Sequence, residues 1–237
     1  MRFGELQALD IKESELDHGS QAIMSIRRSI LEDGYALVDG INDTDAHMKL
    51  AGCLGKIQKN ALGTFIHMLA VKDEFDARSR SLSAVYGRGA FPYHTDTASW
   101  VHPVRLMMLR LASGDVRRST RIVKSQDLLE GISESALRGA CWLVKNGSHS
   151  FYTTIPWFGR NADEMRYRLD LACMRPINPS ARSLEPELKR RCSSEVGFPI
   201  AWQHGRVLVL DNWLMMHARS GAVLEEGERF LERIYLS

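Results

Sequence analysis

The sequence predicts a mainly β fold with flanking helices, of the sandwich or barrel kind. Three observations carry this. Short apolar runs of strand length recur along the chain, Gly, Pro and Asp/Asn punctuate them, and only a few stretches repeat with helical spacing. A parallel sheet would need a long helix between successive strands, and the sequence lacks them. At 237 residues, one domain with a full-sized core is expected. Residues 1–90 would form an N-terminal support of helices and strand, and 91–237 the working core.

The elements follow in order. Gln21 to Asp33 carries Ile23, Met24, Ile26, Ile30 and Leu31 near helical spacing and stops at Gly34. Tyr35-Ala36-Leu37-Val38 reads as a short strand ended by Asp39-Gly40. A second helix is expected from about Asp43 to Lys56, capped by Asn42 or Asp43, with Gly55 near its end. This helix, strand and helix would lie against the outside of a larger sheet. Arg78 to Pro92, rich in Ser, Gly and Arg, reads as a loop leading into a strand at Tyr93. Val104–Leu111 and Thr120–Val123 are strand-like, and Ser125 is expected to cap a short helix over Gln126–Glu130. Leu143-Val144, Tyr152–Ile155 and Tyr167–Leu171 suit strands, and Ser183–Ser194 suits a helix. The end returns to strands at Pro199–Gln203, Val207–Asp211 and Arg229–Leu236.

Composition excludes several function classes. Lys and Arg number 31 against 29 Asp and Glu, a net charge of +2, so neither nucleic acid nor an anionic membrane is expected as a partner. The pairs Arg117-Arg118 and Arg190-Arg191 read as solvated faces. The 4 cysteines, Cys53, Cys141, Cys173 and Cys192, form no C-x-x-C pair, so no zinc knuckle or disulfide framework follows. The N-terminus lacks the charged start and apolar run of a signal peptide, and no run is long enough to span a bilayer. A reducing cytoplasm is the expected location.

Chemistry concentrates in His94-Thr95-Asp96 and in His217, which follows Asp211-Asn212-Trp213. In a strand, residues i and i+2 share a face, so His94 and Asp96 would converge while Thr95 turns away. Two histidines and one carboxylate are the ligand set that holds non-haem Fe(II) on one face and leaves positions open. An H-x-D triplet alone is common, and each histidine could instead be a hydrogen-bonded core residue. The other histidines have weaker cases. His18 and His47 are expected at the surface, His67, His102, His149 and His204 lack a carboxylate at i+2, and His102 is treated as idle.

The tail strengthens the triplet. Arg229 and Arg233 would share one face of a strand with Leu231 between them. Two arginines on a core strand are costly unless each meets an anion, and the guanidinium fork suits a carboxylate. The bland alternative is an edge strand with both arginines in water.

On these residues the sequence resembles the Fe(II)/2-oxoglutarate-dependent dioxygenases of the taurine dioxygenase and clavaminate-synthase-like family. Phe91–Thr97, Val207–Ser220 and Arg229–Arg233 carry the resemblance, with a weaker match over Tyr167–Pro176. It implies a double-stranded β-helix (jelly roll), with His94, Asp96 and His217 as iron ligands. The cosubstrate 2-oxoglutarate would chelate the iron, its distal carboxylate meeting Arg229 with help from Thr120. O2 would be the second cosubstrate. Arg233 matches a position that often binds an acidic group of the substrate. Asp at 96, where clavaminate-like members often carry Glu, keeps the ligand set. A halogenating relative would need a small residue there. The resemblance thus implies hydroxylation of a C–H bond in a small, carboxylate-bearing substrate such as an amino acid. A desaturase or cyclase would use the same residues, a non-catalytic jelly-roll binding protein would need no full triplet, and a zinc hydrolase would lack a general base. Arg78–Pro92 and Phe151–Arg166 read either as pocket walls, with Arg88 and Trp157 as contacts, or as surface loops.

Overall fold

The computed structural model describes residues 7–70, 86–147, 149–158, 165–221 and 227–237. Its strands are β1 (Leu9–Asp10), β2 (Tyr35–Asp39), β3 (Ile57–Gln58), β4 (Ile66–Ala70), β5 (Phe91–His94), β6 (Leu106–Gly114), β7 (Thr120–Lys124) and β8 (Trp142–Asn146). They continue with β9 (His149–Thr153), β10 (Pro156–Phe158), β11 (Met165–Tyr167), β12 (Met174–Pro176), β13 (Phe198–Ile200), β14 (Val207–Asp211), β15 (Met215–Arg219) and β16 (Arg229–Leu236). The helices are α1 (Gln21–Asp33), α2 (Thr44–Leu54), α3 (Ser125–Leu128), α4 (Glu134–Gly139) and α5 (Pro179–Cys192). The protein is mainly β with flanking helices.

Two sheets make the centre. The larger runs β1-β2-β14-β6-β16-β3, with β4 also on β16, and the smaller runs β13-β7-β15-β5. Alternation along each strand divides its side chains between two layers. On β6, Met107, Leu109 and Leu111 face the space between the sheets, where they meet Leu208, Leu210 and Leu231 of the larger sheet and Ile122, Ile200 and Met215 of the smaller. Met108 of β6, with Val207, Val209 and Ile234, faces the other way onto Ile23, Ile26 and Ile30 of α1 and Leu50 of α2. The outer face of the smaller sheet, through Tyr93, Val123, Met216 and Ala218, packs on Trp142 and Val144 of β8 and Leu188 of α5.

The first helix has the expected bounds. The Ser20 hydroxyl accepts from Ile23 N at its start, and Gly34 closes it at φ 86°, in the left-handed region. For α2 the cap is Asp43, whose carboxylate accepts from Ala46 N at 2.8 Å. Gly55, at φ −179°, ends α2 in extended backbone.

Several expectations need correction. Ser125 does not cap α3; it begins it, with its hydroxyl buried and its N–H bonded to Leu214 O. The helix expected at Ser183 starts earlier, at Pro179, because the Asn178 side chain caps Ala181 N and proline tolerates the first turn. The strand expected over Tyr167–Leu171 stops at Tyr167, because Arg168 and Leu169 bond to Ile155 and Thr95. The helix–strand–helix opening does cover the larger sheet, but its strand β2 also joins that sheet beside β14. Arg118 is fully buried, not solvated. Residues 78–85 of the expected loop and 159–164 lie outside the described residues.

His47 is also buried, not at the surface. On the helix-facing side of β16, Glu232 takes hydrogen bonds from His47 Nδ1 (3.0 Å), Arg110 Nε (2.9 Å) and the Thr44 hydroxyl. Burial raises the Glu232 pKa, but the bonds from His47, Arg110 and Thr44 outweigh it and bring it down to about 2. The His47 pKa is lowered, chiefly by burial, against the pull of Glu232.

Candidate metal centre and its cavity

Strand β5 ends at His94, and in register His217 of β15 stands opposite it. Their rings lie 4.2 Å apart between centroids. The His94 Nδ1 is 3.0 Å from Pro92 O. A carbonyl only accepts, so Nδ1 donates to it, which leaves Nε2 as the nitrogen a metal would use.

Asp96 reaches the site by another route than the strand alternation expected. Pairing stops at His94, because Thr95 N donates to Leu169 O (2.8 Å) and draws the chain out of β5. Asp96 therefore sits in a turn. One donor atom from each of His94, Asp96 and His217 lies within 4.8 Å of the others, and all three residues are buried. His94 Nε2 and Asp96 Oδ1 are 3.8 Å apart.

The protonation states suit a cation. Burial, aided by repulsion from His94 and Arg233 and opposed by Asp96, takes the His217 pKa down to about 3. Burial raises the Asp96 pKa, but Arg233, His217, His94 and the Tyr235 hydroxyl outweigh it and bring it down to about 2. A neutral imidazole at His217 and a carboxylate at Asp96 are the forms a metal requires. The buried His217 Nδ1 has no hydrogen-bond partner, an unmet need of the kind a bound cation or ordered water meets.

The turn behind Asp96 is unusual. Thr97 has φ 55°, which costs a β-branched residue on the order of 1–3 kcal/mol. Its hydroxyl donates to Asp96 O (2.7 Å) and accepts from Val104 N (3.0 Å).

Arg229, Leu231 and Arg233 line one cavity of 340 Å³ together with His94, Asp96, His217 and Thr120. Strand β16 lies inside the larger sheet, between β6 on one side and β3 and β4 on the other, so the edge-strand alternative fails. Arg229 is 4% exposed and donates to Arg118 O. The Thr120 hydroxyl accepts from Trp202 Nε1 at 3.1 Å. Arg233 grips the metal triplet itself: its NH1 lies 3.1 and 3.0 Å from the two Asp96 carboxylate oxygens, and its NH2 2.9 Å from His67 Nδ1. His67, on β4, lines the same cavity.

Sequence reasoning passed over His67, which has no ligand spacing; its signal was a strand position alternating with Leu69, also on the cavity. His102 and Arg88 are exposed and Trp157 is half-buried, and none of the three lines the cavity. A slightly larger cavity of 370 Å³ touches the triplet only at His94 and meets the first along Phe91, Ala218 and Arg219.

No protein-family model and no curated protein matches the sequence. Solved structures do match. Asparagine oxygenase, in complex with Fe(II), 3-hydroxyasparagine and succinate, superposes with a TM-score of 0.68 at 17% identity, over 90% of this chain and 77% of that one. OrfP, a non-haem iron oxygenase with Fe and α-ketoglutaric acid, gives a TM-score of 0.69 at 14% identity, over 98% and 94%. A putative α-ketoglutarate-dependent taurine dioxygenase from Burkholderia xenovorans gives 0.69 at 14%, over 97% and 89%. This chain has the fold of these oxygenases. Among its described residues no helix is long and apolar enough to cross a membrane.

Proposed function

We propose that the chain is a single jelly-roll domain over 1–237, with 1–90 as support and 91–237 as core, and that it is an Fe(II)- and 2-oxoglutarate-dependent oxygenase. The observation that carries this is the His94, Asp96 and His217 triplet opening on the cavity that Thr120 and Arg229 also line. Fe(II) in this donor set, with O2 and 2-oxoglutarate, supplies oxidation of a substrate C–H bond coupled to decarboxylation of 2-oxoglutarate to succinate.

The chain's own residues do the rest. His94 and His217 would offer imidazole nitrogens and Asp96 one negative charge. Arg229, buried in the cavity lining, would meet the distal carboxylate of 2-oxoglutarate, and the Thr120 hydroxyl would assist it. Arg233 spends NH1 on Asp96 and NH2 on His67, and as a cation in the cavity lining it would attract an acidic group of the substrate. A small carboxylate-bearing compound such as an amino acid fits this charge pattern, with hydroxylation as the outcome; desaturation or ring closure needs no other residue. Neither nucleic acid nor a membrane is a partner in this reading. The cysteines, none in a disulfide, and ferrous iron suit a reducing cytoplasm.

The test is a screen of carboxylate compounds for substrate-stimulated succinate release by protein supplied with Fe(II), O2 and 2-oxoglutarate. Absence of the weak visible charge-transfer band when Fe(II) and 2-oxoglutarate are added without oxygen sinks the reading. The Asp96→Ala variant should release no succinate.

A further inference from the structure

The triplet's one carboxylate is the ligand that no strand holds, yet its main chain is fully bonded. The Asn212 side chain does this. Its Oδ1 accepts from Asp96 N at 2.7 Å, and its Nδ2 donates to Asp96 O at 2.9 Å and to Val104 O at 3.0 Å. Asn212 is 1% exposed and is anchored through its own N–H to Arg105 O at 2.7 Å. A primary amide carries one acceptor and two donors on a rigid plane, and here all are used. It supplies both main-chain partners just past the end of β5, where strand pairing has stopped. Thr97, next in the chain, is held at positive φ, and such a conformation persists only where its surroundings over-determine it.

We infer that Asn212 is the positioning residue of the metal centre: it fixes the backbone of Asp96 from the turn that precedes β15, so that the carboxylate is aimed before any metal arrives. The link is direct in space, since the same turn leads within five residues to His217. One polar side chain thereby sets the relation between the two halves of the ligand set. Asn212 is not in the cavity lining, and its action passes through Asp96. Outer residues that orient a ligand typically alter metal affinity about 10–100-fold when changed. This inference rests on the metal reading above.

The test uses Co(II) alone as probe, under conditions where the full chain is folded by circular dichroism. Asn212→Asp keeps the size but removes both donors and sets an acceptor against two carbonyls. Asn212→Ala removes the plane altogether. Both should bind Co(II) about 10–100-fold more weakly than the unaltered chain and shift its visible spectrum. If the unaltered chain fails to bind Co(II), the metal reading falls. If it binds and both folded variants match it in affinity and spectrum, this inference alone falls. A measurement without any variant covers the case in which neither folds. In the metal-free unaltered chain the Asp96 amide should exchange its hydrogen as slowly as the paired amides of β15, and exchange at an open-loop rate overturns the inference.

Discussion

At the residue scale, the site is a balance of charges held in a small volume. Three arginines, Arg219, Arg229 and Arg233, and one carboxylate, Asp96, line the cavity, so it has room for further negative charge. Arg229→Ala removes a charge-assisted pair worth about 1.5–3 kcal/mol. It should therefore raise the 2-oxoglutarate concentration at half-maximal succinate release by about 10–100-fold. Thr97 gives a second prediction. Thr97→Val keeps the strain but loses both hydroxyl bonds and leaves Val104 N–H unmet, so it should cost about 1–3 kcal/mol by urea unfolding. Thr97→Asn keeps a polar group and tolerates the left-handed region, so it should unfold close to the unaltered midpoint. His94, Asp96, His217, Arg229 and Arg233 stand out in the sequence by residue type and spacing, whereas Thr120 enters only through the family resemblance. The turn at Asp96 and the parts of Asn212 and His67 were not legible there. Each depends on a partner far along the chain, and spacing within a short motif carries no trace of that partner.

At the element scale, β16 does two jobs on its two faces. Arg229, Leu231 and Arg233 serve the cavity, while Glu232 ties the strand to α2 and β6 through His47, Thr44 and Arg110. Glu232→Gln leaves Arg110 buried without its counter-charge and should destabilise the chain by about 3–5 kcal/mol in urea. The pH dependence follows from the directions of the shifts. The Glu232 pKa falls from 4.5 unfolded to about 2 folded, so its contribution is present above about 4.5 and is lost as pH falls toward 2. His47 has a folded pKa below its unfolded 6.5. The unfolded chain thus takes up its proton first, and stability starts to drop below that pH. Unfolding free energy measured from pH 7 downward should fall, and the gap between the unaltered chain and Glu232→Gln should narrow below pH 4.5. Strand β14 was readable as an unbroken apolar run, Val207–Leu210, and β16 as a strand-length stretch at the end of the sequence. Strands β3 and β4 were not, because Ile57–Gln58 is too short and Ile66–Ala70 keeps one exposed Met and one polar His.

At the scale of the whole molecule, the smaller sheet sets His94 and His217 on neighbouring strands although most of the described strands lie between them in sequence. Periodicity reveals which face of a strand is buried but not which strand lies beside it, so the class of fold was legible and the pairing of β14 with β2 and β6 was not. Ligand binding should be felt globally, because a group that binds only the folded chain adds stability of about 2.7 kcal/mol at one hundred times its dissociation constant. For a chain of this size that is a rise of about 5–10 °C in Tm. Fe(II) with 2-oxoglutarate under nitrogen should produce it in the unaltered protein and not in His217→Ala.

Strand β16 is also a safeguard against mispairing. Were it to slip by one residue against β6, every side chain would change face. Arg229 and Arg233 would enter the apolar layer under α1 and α2, and Glu232 would land beside Asp96. Three buried charges would lose their partners at once. The alternation that equips the cavity therefore also admits one alignment of the strand, and a chain that folds at all delivers its arginines to the correct side.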